Sequence, residues 1–338
     1  MTSKAPNPAS PISPPLIDQF GRHITYLRLS ITDRCNLRCV YCMPEQGVKQ
    51  LAHEEILTFE ELERLVAMFS QMGITKVRIT GGEPFVRLGC VSFIERLKVV
   101  IGVPYLHITT NGVHTYRHLE KLKKIGLSGL NVSLDTLDRD RFAALARRDR
   151  LERVERTINK ALKLGMPLKI NSVVTTSTRD DDILSLATLP NHLPVSVRFI
   201  EHMPFSSADG PSTKLSESLK SRLYRLFPDL YAVSVERIST ARLYKRSRFK
   251  GTIGIIEGAS RKFCQDCNKV RVTPAGLLKT CLYDDGVLDL KKLLRGGMHD
   301  REIETEIRQA IIFRQQNGVA AEKINGATKH PSMATIGG

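Results

Sequence analysis

Apolar and polar residues alternate along six short stretches of this chain. Leu27, Leu29 and Ile31 interleave with Arg28 and Ser30, and Val77 and Ile79 with Arg78 and Thr80. The same period of two returns at Leu106 and Ile108, at Leu130, Val132 and Leu134, at Leu168 and Ile170, and at Val195, Val197 and Phe199. Such a period puts successive side chains on opposite faces, so each stretch predicts a half-buried strand. Between most of them the apolar spacing changes to three and four. Residues 60–72 carry Leu62, Leu65, Val66 and Phe69 on one face and predict a helix; 91–101, 117–125 and 153–164 predict three more. Gly73, Gly126 and Gly165 each follow a helix and read as C-terminal caps.

Strands alternating with helices imply a parallel sheet with helices outside it. A parallel sheet covered on both faces has strands that are apolar throughout. Here every strand keeps a polar face, which includes Arg28, Arg78, Lys169 and Arg198. Four cations on one face repel one another unless an anion lies between them. The expected architecture is therefore α/β, a partial (β/α)6 barrel of the TIM type, open on one side, with a wet interior. Such barrels place their sites at the C-terminal strand ends. Polar groups gather there: Gly81-Gly82-Glu83-Pro84 after the second strand, Thr109 to Gly112 after the third, Ser133 and Asp135 after the fourth, Glu201 and Met203 after the sixth.

After the first strand comes Cys35-Asn36-Leu37-Arg38-Cys39-Val40-Tyr41-Cys42. Three thiolates in so short a loop can hold three irons of a 4Fe-4S cube and leave the fourth iron open for chemistry. A second trio, Cys264, Cys267 and Cys281, lies in the C-terminal region, near two short strands at 251–256 and 269–273. Zinc would need a fourth ligand such as histidine. None lies between Phe263 and Met298, so a second three-cysteine cluster is preferred. Cys90 is left over and reads as a buried structural thiol. Without a secretory signal, cysteines grouped in this way favour metal over disulfides.

The chain of 338 residues has room for one large α/β domain and a smaller region. The expected divisions are a disordered tail at 1–20, the barrel at 21–240, a cluster-binding region at 241–316 and a C-terminal tail at 317–338. Residues 1–15 are rich in Pro, Ser and Ala, with no apolar segment and no Arg, which argues against a signal or transit peptide. No run of about 18 apolar residues predicts a membrane span. Lys and Arg number 51 against 35 Asp and Glu, a formal net charge of +16. That surplus attracts phosphate-bearing partners, nucleotide or nucleic acid. Phe and Tyr are scattered rather than clustered with the bases, which disfavours a nucleic-acid module.

The CxxxCxxC loop with Tyr41 before its last cysteine, and Gly81-Gly82-Glu83-Pro84, resemble the radical S-adenosylmethionine (SAM) superfamily. The stretches 27–41, 77–87, 109–112, 131–135, 198–201 and 264–272, with Cys281 and the terminal Gly337-Gly338, resemble the GTP 3′,8-cyclases within it. The resemblance runs from about residue 20 to the C-terminus. It implies two 4Fe-4S clusters, on Cys35, Cys39 and Cys42 and on Cys264, Cys267 and Cys281. It implies that the first cluster binds SAM and releases a 5′-deoxyadenosyl radical that takes hydrogen from C3′ of GTP. Attack of the resulting carbon radical on C8 and a further reduction, one electron and one proton, then give (8S)-3′,8-cyclo-7,8-dihydroguanosine 5′-triphosphate, the first step of molybdenum cofactor synthesis. By position, Tyr41, Gly82, Ser133 and Met203 match the family's SAM contacts. Arg28, Arg78, Thr109, Lys169, Arg198, Lys269, Val270 and Arg271 match GTP contacts. Lys269 stands where the family usually has Arg, keeping the charge and losing the fork. Gly337 and Gly338 match an activating C-terminus. The resemblance further implies a cytoplasmic homodimer, a reductant protein, and hand-off of product to cyclic pyranopterin monophosphate synthase. A radical SAM peptide-modifying enzyme with an auxiliary cluster is the alternative; it has no need of the inward basic set.

Overall fold

The computed structural model describes residues 13–203, 217–234, 240–258, 264–324 and 332–337. Its strands are β1 (Tyr26–Ser30), β2 (Lys76–Thr80), β3 (Tyr105–Thr110), β4 (Gly129–Ser133), β5 (Leu168–Val174), β6 (Val195–Glu201), β7 (Tyr231–Val233), β8 (Arg242–Lys245), β9 (Thr252–Ile256), β10 (Lys269–Val272), β11 (Leu277–Lys279) and β12 (Leu288–Asp289). The helices are α1 (Phe59–Gln71), α2 (Cys90–Val99), α3 (Leu119–Ile125), α4 (Arg139–Ala146), α5 (Leu151–Lys163), α6 (Asp180–Ala187), α7 (Leu189–His192), α8 (Leu219–Leu226), α9 (Leu290–Arg295), α10 (Asp300–Ile312), α11 (Gly318–Ile324) and α12 (Met333–Ile336).

The six alternating stretches form β1 to β6, side by side and parallel in chain order. Their apolar faces are sealed by helices: Leu27, Ile79, Ile108 and Val132 are fully buried, as are Leu65 and Phe69 on α1 and Phe93 on α2. The α1 helix starts where the sequence supplies a reciprocal cap, with Thr58 accepting from the Glu61 N–H and Glu61 accepting from the Thr58 N–H. Two strands from the C-terminal region lengthen the parallel run, β10 beside β1 and β9 beside β6. Antiparallel hairpins, β11–β12 and β8–β7, finish the two ends of an unclosed 12-stranded sheet. The open barrel expected from the alternation is thus present. The second cysteine region continues its sheet at β10, which brings Cys267 to the same cavity as the β1 loop.

Residues 13–20, read from composition as tail, pack against this body. Leu16 is buried, its N–H bonds to the Met72 carbonyl, and Asp18 is buried too. The polar stretch after residue 317, which showed no helical period, contains α11 and α12.

Candidate functional site

The polar faces of the strands enclose a cavity of about 1270 Å³. Cysteines stand on two of its rims, and cations cover the wall between them.

The first rim is the loop after β1, and the glycine pair after β2 locks against it. The Gly82 N–H bonds to the Thr32 carbonyl at 2.7 Å and the Glu83 N–H to the Arg34 carbonyl at 2.8 Å. A Cβ on Gly82 would stand 2.4 Å from the Arg34 oxygen, and one on Gly81 2.7 Å from the Thr32 oxygen. Close backbone approach, rather than a turn, is what requires both glycines. Glu83 is fully buried and fastens this loop to the next, accepting from Thr110 Oγ1 at 2.7 Å and the Asn111 N–H at 2.7 Å. Burial pushes its carboxyl up to about 7. Asn111 in turn points Nδ2 at Cys35 Sγ, 3.7 Å away. The Tyr41 hydroxyl donates to Asp135 Oδ2 at 2.8 Å, and Asp135 Oδ1 accepts from the Val173 N–H at 2.8 Å. Burial pushes Asp135 up to about 6. Gly82, Ser133 and Met203 line the cavity beside Tyr41. All three thiols are raised by burial, Cys35 to about 12. Three half-buried, protonated thiols at one cavity rim fit an iron–sulfur cluster, whose positive irons replace those protons.

The wall is built by strand register. One level runs Arg271, Arg28, Arg78 and His107 across β10, β1, β2 and β3; another runs Thr109, Asn131, Lys169 and Ser196 across β3 to β6. Arg78 is 3% exposed and donates to Thr109 Oγ1 at 3.2 Å. Among the described lining residues are ten Lys and Arg and one carboxylate, Glu201. Burial and repulsion by neighbouring cations lower Arg28 to about 9, Arg198 to about 10 and Lys169 to about 7. The same causes hold His107 down at about 2, so it is neutral. The buried Oδ1 atoms of Asn131 and Asn171 and the Arg198 Nε have no hydrogen-bond partner. The unpaired Arg198 N–H on a cationic wall suits an anion, while the two amide oxygens suit hydrogen-bond donors of a ligand.

Cys264, Cys267 and Cys281 form the second rim. Asp284 shapes the Cys281 turn, its Oδ2 accepting from the Cys281 N–H at 2.7 Å and Thr280 Oγ1 at 3.0 Å. Burial pushes Cys281 up to about 11. Cys267 differs. Burial raises it too, but Arg314 and Lys269 outweigh that and hold the thiol below its ordinary value. Among the described residues, no three His, Cys, Asp or Glu side chains form a group that could hold a single metal ion. The donor set is two separate thiol trios facing a common space.

Sequence-chosen residues therefore converge on the cavity lining, with three exceptions, Val270, Gly337 and Gly338. The Val270 side chain is fully buried in the hydrophobic core, while Lys269 and Arg271 on either side face the cavity. Gly338 lies outside the described residues. Gly337 is described: its carbonyl accepts from Arg271 Nη1 at 2.8 Å. Its φ is +90°, and a Cβ there would stand 2.7 Å from Ser30 Cβ and 2.7 Å from Thr80 Oγ1. The tail arrives by way of Ser332, fully buried, whose hydroxyl donates to the Cys42 carbonyl at 2.8 Å. Cys90 is buried outside the cavity. Sequence reasoning passed over Tyr26, Lys76, Arg22 and Arg314. Tyr26 and Lys76 continue the β1 and β2 alternation by one step and could have been found; the other two have no local signal.

Two family models match the chain, Radical SAM superfamily over residues 29–189 and Molybdenum Cofactor Synthesis C over 195–319. The chain is 38% identical over 329 residues to GTP 3′,8-cyclase of Pelotomaculum thermopropionicum, covering 95% of this chain and 99% of that protein. It is 40% identical over 328 residues to Molybdenum cofactor biosynthesis protein 1 of Bos taurus, covering 96% of this chain. The chain spans about half (52%) of that mammalian protein's length. Among solved structures, Streptococcus suis SuiB bound to S-adenosylmethionine superposes with a TM-score of 0.58 at 18% identity, over 84% of this chain and 67% of that one. That likeness establishes the fold, an open α/β barrel. With a cyclase relative matched along nearly its whole length, and the two cysteine rims in place, the chain belongs to the GTP 3′,8-cyclase family of the radical SAM superfamily.

Proposed function

We propose that this protein converts GTP to (8S)-3′,8-cyclo-7,8-dihydroguanosine 5′-triphosphate, the first step of molybdenum cofactor biosynthesis. The observation that carries this reading is the charge of the cavity: ten cations and one carboxylate on the described wall, between two thiol trios. A triphosphate supplies the anion such a wall lacks. Cys35, Cys39 and Cys42 hold one 4Fe-4S cluster, and Cys264, Cys267 and Cys281 a second. When bound, the first cluster and SAM supply the radical chemistry that removes hydrogen from C3′ of the substrate.

The chain's own residues do the rest. Tyr41, braced by Asp135, walls the SAM side with Gly82, Ser133 and Met203. Arg28, Arg78, Lys169 and Arg198 clamp the phosphates, with Thr109 beside them. Lys269, Arg271 and the Val270 main chain bound the guanine end. Guanidinium forks match phosphate oxygens in pairs and fix orientation, which supplies much of the effective concentration that ring closure needs. Lys169, lowered to about 7 in the empty cavity, takes up a proton as the triphosphate arrives. Gly337 and Gly338 close the cavity from the tail, with the Gly337 carbonyl on Arg271. An external reductant feeds the first cluster. A homodimer, a cytoplasmic setting and product hand-off to cyclic pyranopterin monophosphate synthase complete the reading. No helix among the described residues is long and apolar enough to cross a membrane.

Anaerobic incubation of reconstituted protein with GTP, SAM and dithionite tests it. The expected products are 5′-deoxyadenosine and a cyclised nucleotide isomeric with GTP. Cleavage of SAM with GTP recovered unchanged would reject the activity.

A further inference from the structure

Arg314 follows α10 and is 3% exposed. Its Nη2 donates to Cys267 Sγ at 3.0 Å and its Nη1 to the Cys267 carbonyl at 2.9 Å. A second arginine grips the same turn. Arg22 Nη1 donates to the Cys264 carbonyl at 2.8 Å and the Gln316 carbonyl at 2.7 Å, and Nη2 to the Gln315 carbonyl at 2.9 Å. Asp18, from the N-terminal segment, is the buried acid behind them. It accepts from Arg22 Nε at 2.6 Å and from the Phe20 and Arg22 N–H groups.

The charges do not cancel. Two guanidiniums, Arg314 buried and Arg22 half-buried, meet one carboxylate, and Arg22 holds it: Arg314 Nη1 stands 3.9 Å from Asp18. Arg314 Nε has no hydrogen-bond partner. A buried cation needs an anion at hydrogen-bonding distance. For Arg314 the group in that place is the sulfur of Cys267. Toward a thiol such a guanidinium is poorly matched; toward a thiolate on iron it is well matched.

We propose that Arg314 is a positioning residue for the second cluster, its guanidinium bonding the Cys267 thiolate, fixing the turn from Cys264 to Cys267 and raising that cluster's reduction potential. The inference rests on the reading of Cys264, Cys267 and Cys281 as cluster ligands. Reduction adds negative charge to a cluster, and a donor or cation at a ligand sulfur stabilises the added charge. Asp18 and Arg22 act behind it, setting the angle at which Arg314 meets the sulfur. The N-terminal segment thereby becomes part of the second cluster's support, although Arg22 lies 242 positions from Cys264 in the chain.

The test is an EPR-monitored redox titration of the reconstituted full-length protein, with iron counted on each sample. Loss of one signal in Cys267→Ser assigns the second couple. In Arg314→Gln that couple is expected to fall so that its reduced-to-oxidised ratio at fixed potential drops about tenfold, or about 59 mV for one electron. The first couple serves as internal control and stays in place. Arg314→Lys keeps the charge, loses the fork, and should fall between wild type and Gln. A second couple unmoved in an Arg314→Gln protein with full iron overturns the proposal. If Arg314→Gln loses iron, an unmoved couple in Arg314→Lys overturns it. About eight irons per chain in wild type uphold the two-cluster reading itself. About four would reject that reading, and the inference with it, whatever the potentials do.

Discussion

The two cysteine rims share a ligand count and a cavity but differ in what surrounds them. Behind the first stand two acids, Glu83 fully buried and Asp135 half-buried, and its thiols are all raised. Around the second stand Arg314, Lys269 and Arg271, and there Cys267 is lowered. Negative surroundings oppose adding an electron, and positive surroundings favour it. On the proposed reading the first rim would suit a strongly reducing cluster, as the reductive cleavage of SAM requires. The second, on the same proposed reading, would suit a cluster that holds a ligand and accepts charge. Equal spacing of cysteines hides this difference, since the neighbours that make it come from distant parts of the chain.

Removing a ligand from either rim should break the division of labour most sharply. Cys35→Ser should lose roughly half the iron, about four of eight atoms, and abolish 5′-deoxyadenosine formation. Cys267→Ser should lose a similar share yet retain SAM cleavage while forming no cyclised nucleotide. Equal loss of SAM cleavage in both would erase the distinction between the rims.

A Gly337→Val change adds a β-branched side chain where φ is +90° and Ser30 and Thr80 leave no space. Turnover should fall at least about a hundredfold, the tail being unable to seat, while iron stays at the wild-type level. Normal turnover in that variant would show that the tail has no part in the site.

The wall between the rims responds more gently. Arg78→Met should raise KM for GTP about tenfold or more, one lost charge-assisted pair being worth ~1.5–3 kcal/mol. KM for SAM should stay unchanged. Lys169 gives the wall a pH dependence. Its folded value is lowered to about 7, so it is charged below that pH and neutral above it. Affinity for GTP should then be level below pH 7 and weaken above it, by up to about tenfold per unit. Lys169→Arg should flatten the profile, because arginine keeps its charge. An unaltered profile in that variant would assign the titration elsewhere.

The smallest expected effect lies behind Tyr41. Asp135→Asn keeps an acceptor for the Tyr41 hydroxyl but no negative charge. KM for SAM should change a few-fold, in keeping with one hydrogen bond of ~1 kcal/mol, with KM for GTP unaffected.

Much of this was legible in the sequence because it is local. The alternation at Leu27, Arg28 and Leu29 announces both the strand and the direction of Arg28, since a period of two settles which face each side chain takes. Gly81 and Gly82 were visible as a glycine pair after a strand; the structure supplies the reason for them, the Thr32 and Arg34 carbonyl oxygens that their backbone approaches. What stayed hidden depends on pairing at long range. Nothing in Lys269-Val270-Arg271 says that this strand lies parallel to β1, yet that register puts Arg271 beside Arg28 and sends Val270 into the core. Composition marked residues 1–20 as tail, but Leu16 and Asp18 find burial only once Met72 and Arg22 are in place. Arg314 looked like one more charge at a helix end; its meaning needs Cys267 at 3.0 Å.

The most direct test of the central claim, one cavity in which a radical begun at the first rim acts on a nucleotide held toward the second, is isotope transfer. Anaerobic turnover with GTP deuterated at C3′ should place deuterium in 5′-deoxyadenosine and yield a cyclised nucleotide lacking it. Undeuterated 5′-deoxyadenosine formed alongside unaltered GTP would contradict the claim.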